Sequence, residues 1–204
     1  MKYLAHSSCA IFIVFLCCCH TVTSPTSFGL KPVKLDESYF NGSWVRDDSV
    51  DRFDVVVLDK EKSEIQITFD EGGASGPPKM RTVKAQILNG RKWRYASILC
   101  ADDGSEKNGY FFVCIHSTPT RTLIWMPDLP MFKSLVANGI IPGKVEKEDV
   151  ILGEITPETI DMVESGRLGM LFDWQNPYVL KKIQPSGNRN VEQAVPPKSD
   201  RAGG

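Results

Sequence analysis

Arg81-Thr82-Val83-Lys84-Ala85-Gln86-Ile87-Leu88-Asn89-Gly90-Arg91-Lys92-Trp93-Arg94-Tyr95-Ala96-Ser97-Ile98-Leu99 is where the architecture can first be read. Val83, Ala85 and Ile87 alternate with charged and polar neighbours, the two-residue period of a strand with one covered face. Asn89-Gly90 tolerates the positive φ of a type I′ turn and is the strongest short hairpin signal in the chain. Lys92 to Leu99 returns, with Trp93, Tyr95 and Leu99 sharing a face. Two strands joined by so short a loop are antiparallel neighbours, because a parallel pair needs a long crossover.

The pattern continues on both sides. Phe53 to Leu58 is β-branched and apolar, which predicts a strand covered on both faces. Lys60-Glu61-Lys62 is a polar turn, and Ile65, Ile67 and Phe69 then alternate with Glu64, Gln66 and Thr68. Glu71-Gly72-Gly73-Ala74-Ser75-Gly76-Pro77-Pro78 reads as a loop. Downstream, Asp102-Asp103-Gly104-Ser105 turns the chain into Tyr110 to His116, a strand apolar on both faces. Pro119 marks a turn, and Arg121 to Met126 closes the meander.

The chain then changes character. Asp128-Leu129-Pro130 starts a helix, with Asp as cap and Pro in the first turn. Phe132, Leu135 and Val136 form its apolar face, and Asn138-Gly139 is the stop. Thr156-Pro157-Glu158 starts a second helix, with Ile160 and Val163 inward and Gly166 at its end. Asp149 to Ile155 suits a short strand between them, and Tyr178 to Ile183 a last one. The expected fold class is mainly β: a single closed antiparallel up-and-down barrel with one or two short helices.

The ends of the chain differ from its middle. Lys2 followed by the apolar run Cys9 to Cys19, too short to span a bilayer, is the pattern of a signal peptide. The expected organisation is a leader over 1–23, an extended arm over 24–39, the barrel over 40–183 and a disordered tail over 184–204. Such a protein is secreted or periplasmic, with no membrane-spanning segment in the mature chain. The Cys17-Cys18-Cys19 run also suits a lipid-anchored form, although Phe15-Leu16 before it do not suit a lipobox. In the arm, Phe28, Leu30, Val33 and Leu35 are spaced to dock along a groove. Asn41-Gly42-Ser43 is a glycosylation sequon.

Lys+Arg total 24 and Asp+Glu 25, a formal net charge of −1. A surface without excess cations argues against nucleic acid as a partner. Outside the leader the cysteines are Cys100 and Cys114. Across a hairpin they are offset by on the order of 15 Å, whereas a disulfide needs Cα atoms within about 7 Å. Two separate thiols are the expectation, unless these strands are not hairpin partners.

Gly42-Ser43-Trp44 at the first barrel strand resembles the Gly-x-Trp signature of lipocalins. Phe112-Val113-Cys114-Ile115 through Thr120-Arg121-Thr122-Leu123-Ile124-Trp125, followed by Pro and a helix, is similar to the late hairpin and helix of bacterial lipocalins. The order of elements extends the likeness over most of Phe40 to Met126. The resemblance implies an eight-stranded cup for one small molecule, with Trp44 covered by a basic residue. By position that residue is Lys181 or Lys182. The family's second signature is absent, and the helix from Pro157 to Ser165 has no place in a minimal lipocalin.

Catalytic and metal chemistry find little footing. His116 is the only histidine outside the leader, which removes zinc sites that need two. No Gly-x-Ser-x-Gly elbow is present. Cys114 and His116 share a strand face at the spacing of a thiol and a base, which keeps a hydrolase or isomerase in view. Asp47, Asp48, Asp51 and Asp54 lack the order of a calcium loop. No cofactor is implied. The readings that remain are a secreted carrier of a small apolar ligand and a protein- or glycan-interaction module with a filled barrel. For the carrier, the expected ligand-binding residues are Phe69, Trp93, Tyr95, Arg121 and Trp125, with the aromatics lining the cup and Tyr95 or Arg121 fixing a polar end.

Overall fold

The computed structural model describes residues 21–70, 79–100 and 109–184. The leader up to His20, the loop over 71–78, the Asp102–Ser105 turn and the tail from 185 lie outside the described residues. Twelve strands form one sheet: β1 (Val22–Ser24), β2 (Lys31–Pro32), β3 (Gly42–Arg46), β4 (Arg52–Asp59), β5 (Glu64–Asp70), β6 (Met80–Asn89), β7 (Arg94–Leu99), β8 (Tyr110–Ser117), β9 (Arg121–Trp125), β10 (Gly143–Glu146), β11 (Asp149–Leu152) and β12 (Tyr178–Lys182). Among the described residues three helices accompany them: α1 (Glu37–Phe40), α2 (Leu129–Ala137) and α3 (Pro157–Glu164).

Strands β3 to β9 pair with their neighbours in sequence, all antiparallel. β12 then closes the ring, pairing with β9 on one side and β3 on the other. The result is a closed antiparallel barrel, as the alternation implied, with the eight strands that the lipocalin resemblance implied. Closure satisfies the backbone of both edge strands, so the barrel has no open edge.

Each helix starts as its sequence dictates. Asp128 caps α2, its Oδ1 accepting the Met131 N–H at 3.0 Å, and Phe132, Leu135 and Val136 are the buried residues. Thr156 caps α3 with Pro157 in the first turn, and Ile160 and Val163 face inward. The short helix α1, the strand β1 and the strand β10 were not among the expected elements. They are too brief to develop a period, and pairing or packing elsewhere in the molecule sustains them.

Two apolar cores share the strands β7 and β8. The inner core fills the barrel and includes Trp44, Phe53, Ile65, Phe69, Ile87, Ile98, Phe111, Val113 and Ile115. The outer core lies against the opposite face of β7 and β8. There Phe28 stacks on Phe112 at 4.0 Å between centroids and meets the edge of Tyr95 at 4.8 Å. Phe132 of α2, Ile160 and Val163 of α3, and Leu171 and Phe172 complete this layer. β8 is therefore covered on both faces, as its two apolar faces required. β4 is not: Val56 and Leu58 on its outer side are 49% and 44% exposed. The expectation of two-sided cover fails there because the outer layer, built over β7, β8 and the end of β9, does not reach β4.

The arm divides its apolar residues between the cores. Phe28 enters the outer one and Leu35 the inner one, while Leu30 remains 37% exposed. Neither Cys100 nor Cys114 is in a disulfide. Cys114 lies opposite Tyr95, so the hairpin separates the two thiols as expected.

Candidate functional site

The barrel lumen is the candidate site, and strand register builds it. In an antiparallel pair, residues directly opposite point to the same face. β6 faces Ala85 and Ile87 inward, and these lie opposite Ile98 and Ala96 of β7. Ala96 lies opposite Val113, so Phe111, Val113 and Ile115 point in. Ile115 lies opposite Ile124, and Ile124 opposite Tyr178. Leu180 lies opposite Arg46, and Trp44 opposite Phe53. The same parity returns through Ile67 and Ile65 to β6, and the ring closes without a break.

One end of the lumen is plugged. Phe40 of α1 lines it, and Trp44, 2% exposed, donates its indole N–H to Phe40 O at 2.9 Å. Lys182 crosses the other face of the ring, its Nζ 5.3 Å from the Trp44 centroid and 2.8 Å from Ser38 O. Of the two candidate lysines, Lys182 is thus the cover; Lys181 points to the outer side and pairs with Asp47. Gly42 stands at φ +129°, and a Cβ there would meet Lys182 Cε at 2.9 Å. Backbone conformation and the lysine stem together favour glycine at this position.

Above that plug the lumen encloses about 100 Å³, within a void of about 850 Å³ when its open mouth is included. Its wall is almost wholly aliphatic and aromatic. The polar exceptions are Ser117 and Thr122, paired across β8 and β9 with their hydroxyls 3.1 Å apart. Arg46 has the inward parity of Trp44 and stands nearer the other end, 5% exposed, with its guanidinium 6.0 Å over the Tyr178 ring. Asp48 lies 2.5 Å from Arg46 Nε and Asp51 3.8 Å from its Nη1. Met126 lines the lumen and also a broad surface cleft of about 970 Å³ bounded by Asp128, Asp173 and Tyr178.

The five residues expected to bind ligand separate. Phe69 is in the inner core, tilted against Phe53 at 6.2 Å. Tyr95 is fully buried in the outer core. Trp93, 40% exposed, packs on Trp174 at 4.9 Å, and Trp125 packs on the same ring at 5.1 Å. Arg121 is exposed at the start of β9, its N–H donating to Thr118 Oγ1 at 3.0 Å. The cup is therefore not lined by Trp93, Tyr95 and Trp125. The reason is arithmetic: a hairpin loop of even length pairs odd positions with even ones. With Ala85 and Ile87 inward, Ala96 and Ile98 must follow, and Tyr95 must point out. That signal was present in the sequence, as was the one placing Trp125 out once Ile124 points in.

The Asn89-Gly90 turn also differs from its expected form. The ladder ends at Asn89 opposite Arg94, and Gly90 N–H bonds to Trp93 O at 2.7 Å, giving a four-residue loop. Glu164 at the end of α3 occupies that loop. Its carboxylate accepts the N–H groups of Arg91 at 2.9 Å and Lys92 at 2.7 Å and the hydroxyl of Tyr95 at 2.9 Å. A Cβ at residue 90 would run into this carboxylate, so glycine serves close approach rather than a positive φ. Burial, and next the Glu164 charge, push the Tyr95 hydroxyl far above its ordinary range.

Burial, and next the Glu164 charge, push the Cys114 thiol up to about 12. A thiol that stays protonated at neutral pH is a poor nucleophile. The acidic patch resolves into ion pairs and turns: Asp48 and Asp51 on Arg46, Asp47 on Lys181, and Asp54 on Arg52 and Ser43. No group of three or more His, Cys, Asp or Glu side chains among the described residues is arranged to hold a metal ion. No described helix is long and apolar enough to cross a membrane. No family model, curated protein or solved structure matches this chain.

Proposed function

We propose that the protein is a secreted, lipocalin-like carrier that binds a small apolar ligand in the barrel lumen. The observation that carries the reading is an apolar wall facing unfilled space, plugged at one end by Phe40 and Trp44. A barrel filled by its own side chains would have no such space. The enclosed part is smaller than the cavity of about 150 Å³ that admits benzene in another protein. A slender chain entering through the mouth suits it better than a wide, flat ring system. The aliphatic wall supplies contact area, and the Ser117–Thr122 pair supplies a hydroxyl at depth.

Organic extraction and mass spectrometry of the natively purified protein test this reading, together with titration by a fluorescent apolar probe. Ile98→Trp places a large ring in the lumen. The expected outcome is probe affinity reduced at least tenfold with the fold retained by circular dichroism. Unchanged affinity in that variant, or no binding by the parent, sinks the carrier reading. Trp44 is the tryptophan whose emission should respond, since Trp93 and Trp125 lie outside.

A second reading is favoured by one observation. Trp93, Trp174 and Trp125 form a partly exposed ridge on the outer surface, and exposed aromatics are used by protein- and glycan-binding surfaces. Trp93→Ala separates the two: it removes partner binding under this reading and leaves lumen binding intact under the first.

A further inference from the structure

Two hydroxyls stand in an otherwise apolar lumen wall. Ser117 ends β8, and Thr122 lies opposite it on β9, both with the inward parity of Ile115 and Ile124. They belong to the plugged end. Lys182 lies opposite Trp44 there, and its backbone N–H donates to Thr120 O at 2.9 Å, in the turn between β8 and β9. Leu180 flanks Thr122 on the far side. Ser117 is 8% exposed.

The pair is only half satisfied. One hydrogen bond between two hydroxyls uses one of their two protons. Thr122 donates to Ser117 Oγ at 3.1 Å, so the Ser117 proton is left over, and nothing among the described residues accepts it. A hydroxyl cut off from bulk water without an acceptor costs free energy until one arrives. The acceptor has to be neutral. No charged side chain is among the described lining residues. The Lys182 ammonium is bonded to Ser38 O, and Arg46 is paired with Asp48 and Asp51. A carboxylate at the plugged end would be a buried charge without a counter-charge, far costlier than a neutral oxygen.

We propose that the lumen selects a neutral straight-chain ligand whose leading end carries a hydroxyl or carbonyl oxygen. That oxygen accepts the Ser117 proton at the plugged end, and the chain extends from it towards the mouth. The inference rests on the carrier reading and names what such a carrier holds. A hydroxyl end fits best: its oxygen accepts from Ser117 and its own proton goes to Thr122 Oγ1, closing a ring of three hydrogen bonds. A carbonyl end makes the first bond alone. An alkane makes neither and leaves the Ser117 proton buried. Sites that hydrogen-bond a ligand group reject analogues that lack it.

Octanol, octanal, octane and octanoate are titrated at neutral pH against a fluorescent apolar probe. The proteins are the parent and the Ser117→Ala and Thr122→Val variants, each checked for fold by circular dichroism. In the parent, octanol should bind roughly tenfold more tightly than octane or octanoate, the worth of one net hydrogen bond, with octanal between. Ser117→Ala should bring octanol to within about threefold of octane and leave octane itself no weaker. Thr122→Val, nearly isosteric, should lower octanol to the level of octanal. Nuclear Overhauser contacts should join the hydroxyl-bearing CH2 of bound octanol to the Thr122 methyl. Octane or octanoate binding the parent as tightly as octanol overturns the inference and leaves the carrier reading standing. So does an octanol preference that survives Ser117→Ala, a loss shared equally by all four ligands, or a CH2 seen only near Met126. Displacement by none of the four also overturns it, and a probe that fails to bind as well sinks the carrier reading itself.

Discussion

Trp44 is held from three directions: by its strand, by the Phe40 carbonyl and by the Lys182 ammonium over its ring. A buried ring of this size dominates its surroundings, and Trp44→Ala should cost about 3–5 kcal/mol. Lys182→Ala removes only the cation and its stem, on the order of 0.5–2 kcal/mol. Urea denaturation of the two variants checks the order; a Trp44 variant as stable as the parent would contradict the assignment. Cys114 makes a second residue-scale prediction. With its thiol pushed up to about 12 and no exposure, it should resist iodoacetamide at pH 8 in the native protein. Cys100, half-buried, should react first. Equal labelling rates would contradict this placement.

At the scale of elements, α3 and the β6–β7 hairpin depend on one another. The Glu164 carboxylate takes up backbone donors that a four-residue loop cannot satisfy internally, and α3 is thereby anchored to the barrel. Glu164→Gln turns one oxygen into a donor facing other donors. The loss of charged hydrogen bonds should cost about 1.5–3 kcal/mol. Hydrogen exchange should accelerate at Arg91 and Lys92 before the rest of the barrel; protection unchanged at those amides would refute the link. β8 shows the converse, an element whose double burial was legible because both its faces are apolar. β4 carries a similar composition yet has one wet face, since cover depends on what packs there.

For the whole molecule, the two cores share β7 and β8, so their stability should respond to pH as one unit. Asp36 and Asp59 lie below the ordinary 3.8, each chiefly through hydrogen bonds, and Glu158 lies below 4.5 for the same cause. Depressed carboxylates stabilise the fold above those ordinary values, and the contribution is lost as the pH falls through the lower folded ones. Cys114 has the opposite sign. Its folded value is raised from 9.0, so its contribution is complete below pH 9 and is lost as the pH climbs towards about 12. The urea midpoint should be level between about pH 5 and 9 and fall on both sides. A midpoint still rising at pH 10 would contradict the burial of Cys114.

Strands, turns and helix starts were legible in the chain because each is set by neighbours a few residues apart. Period-two alternation marks Ile65–Phe69, side-chain capping marks Asp128 and Thr156, and an apolar run on both faces marks β8. The resemblance to lipocalins, rather than local chemistry, narrowed the cover on Trp44 to two lysines. Which face of each strand turns inward lay beyond any single strand's pattern: hairpin-loop parity, present in the sequence, links one strand's choice to the next, and β12 closes the ring. The outer layer lay further still. Glu164 meets Arg91 across 73 residues and Thr21 meets Asp149 across 128. Contacts at such separation leave no local period, and chain closure alone brings them together. Tyr95 and Trp125 were therefore expected in the cup, while the outer layer that buries Tyr95 and half-covers Trp125 was fixed by packing at a distance.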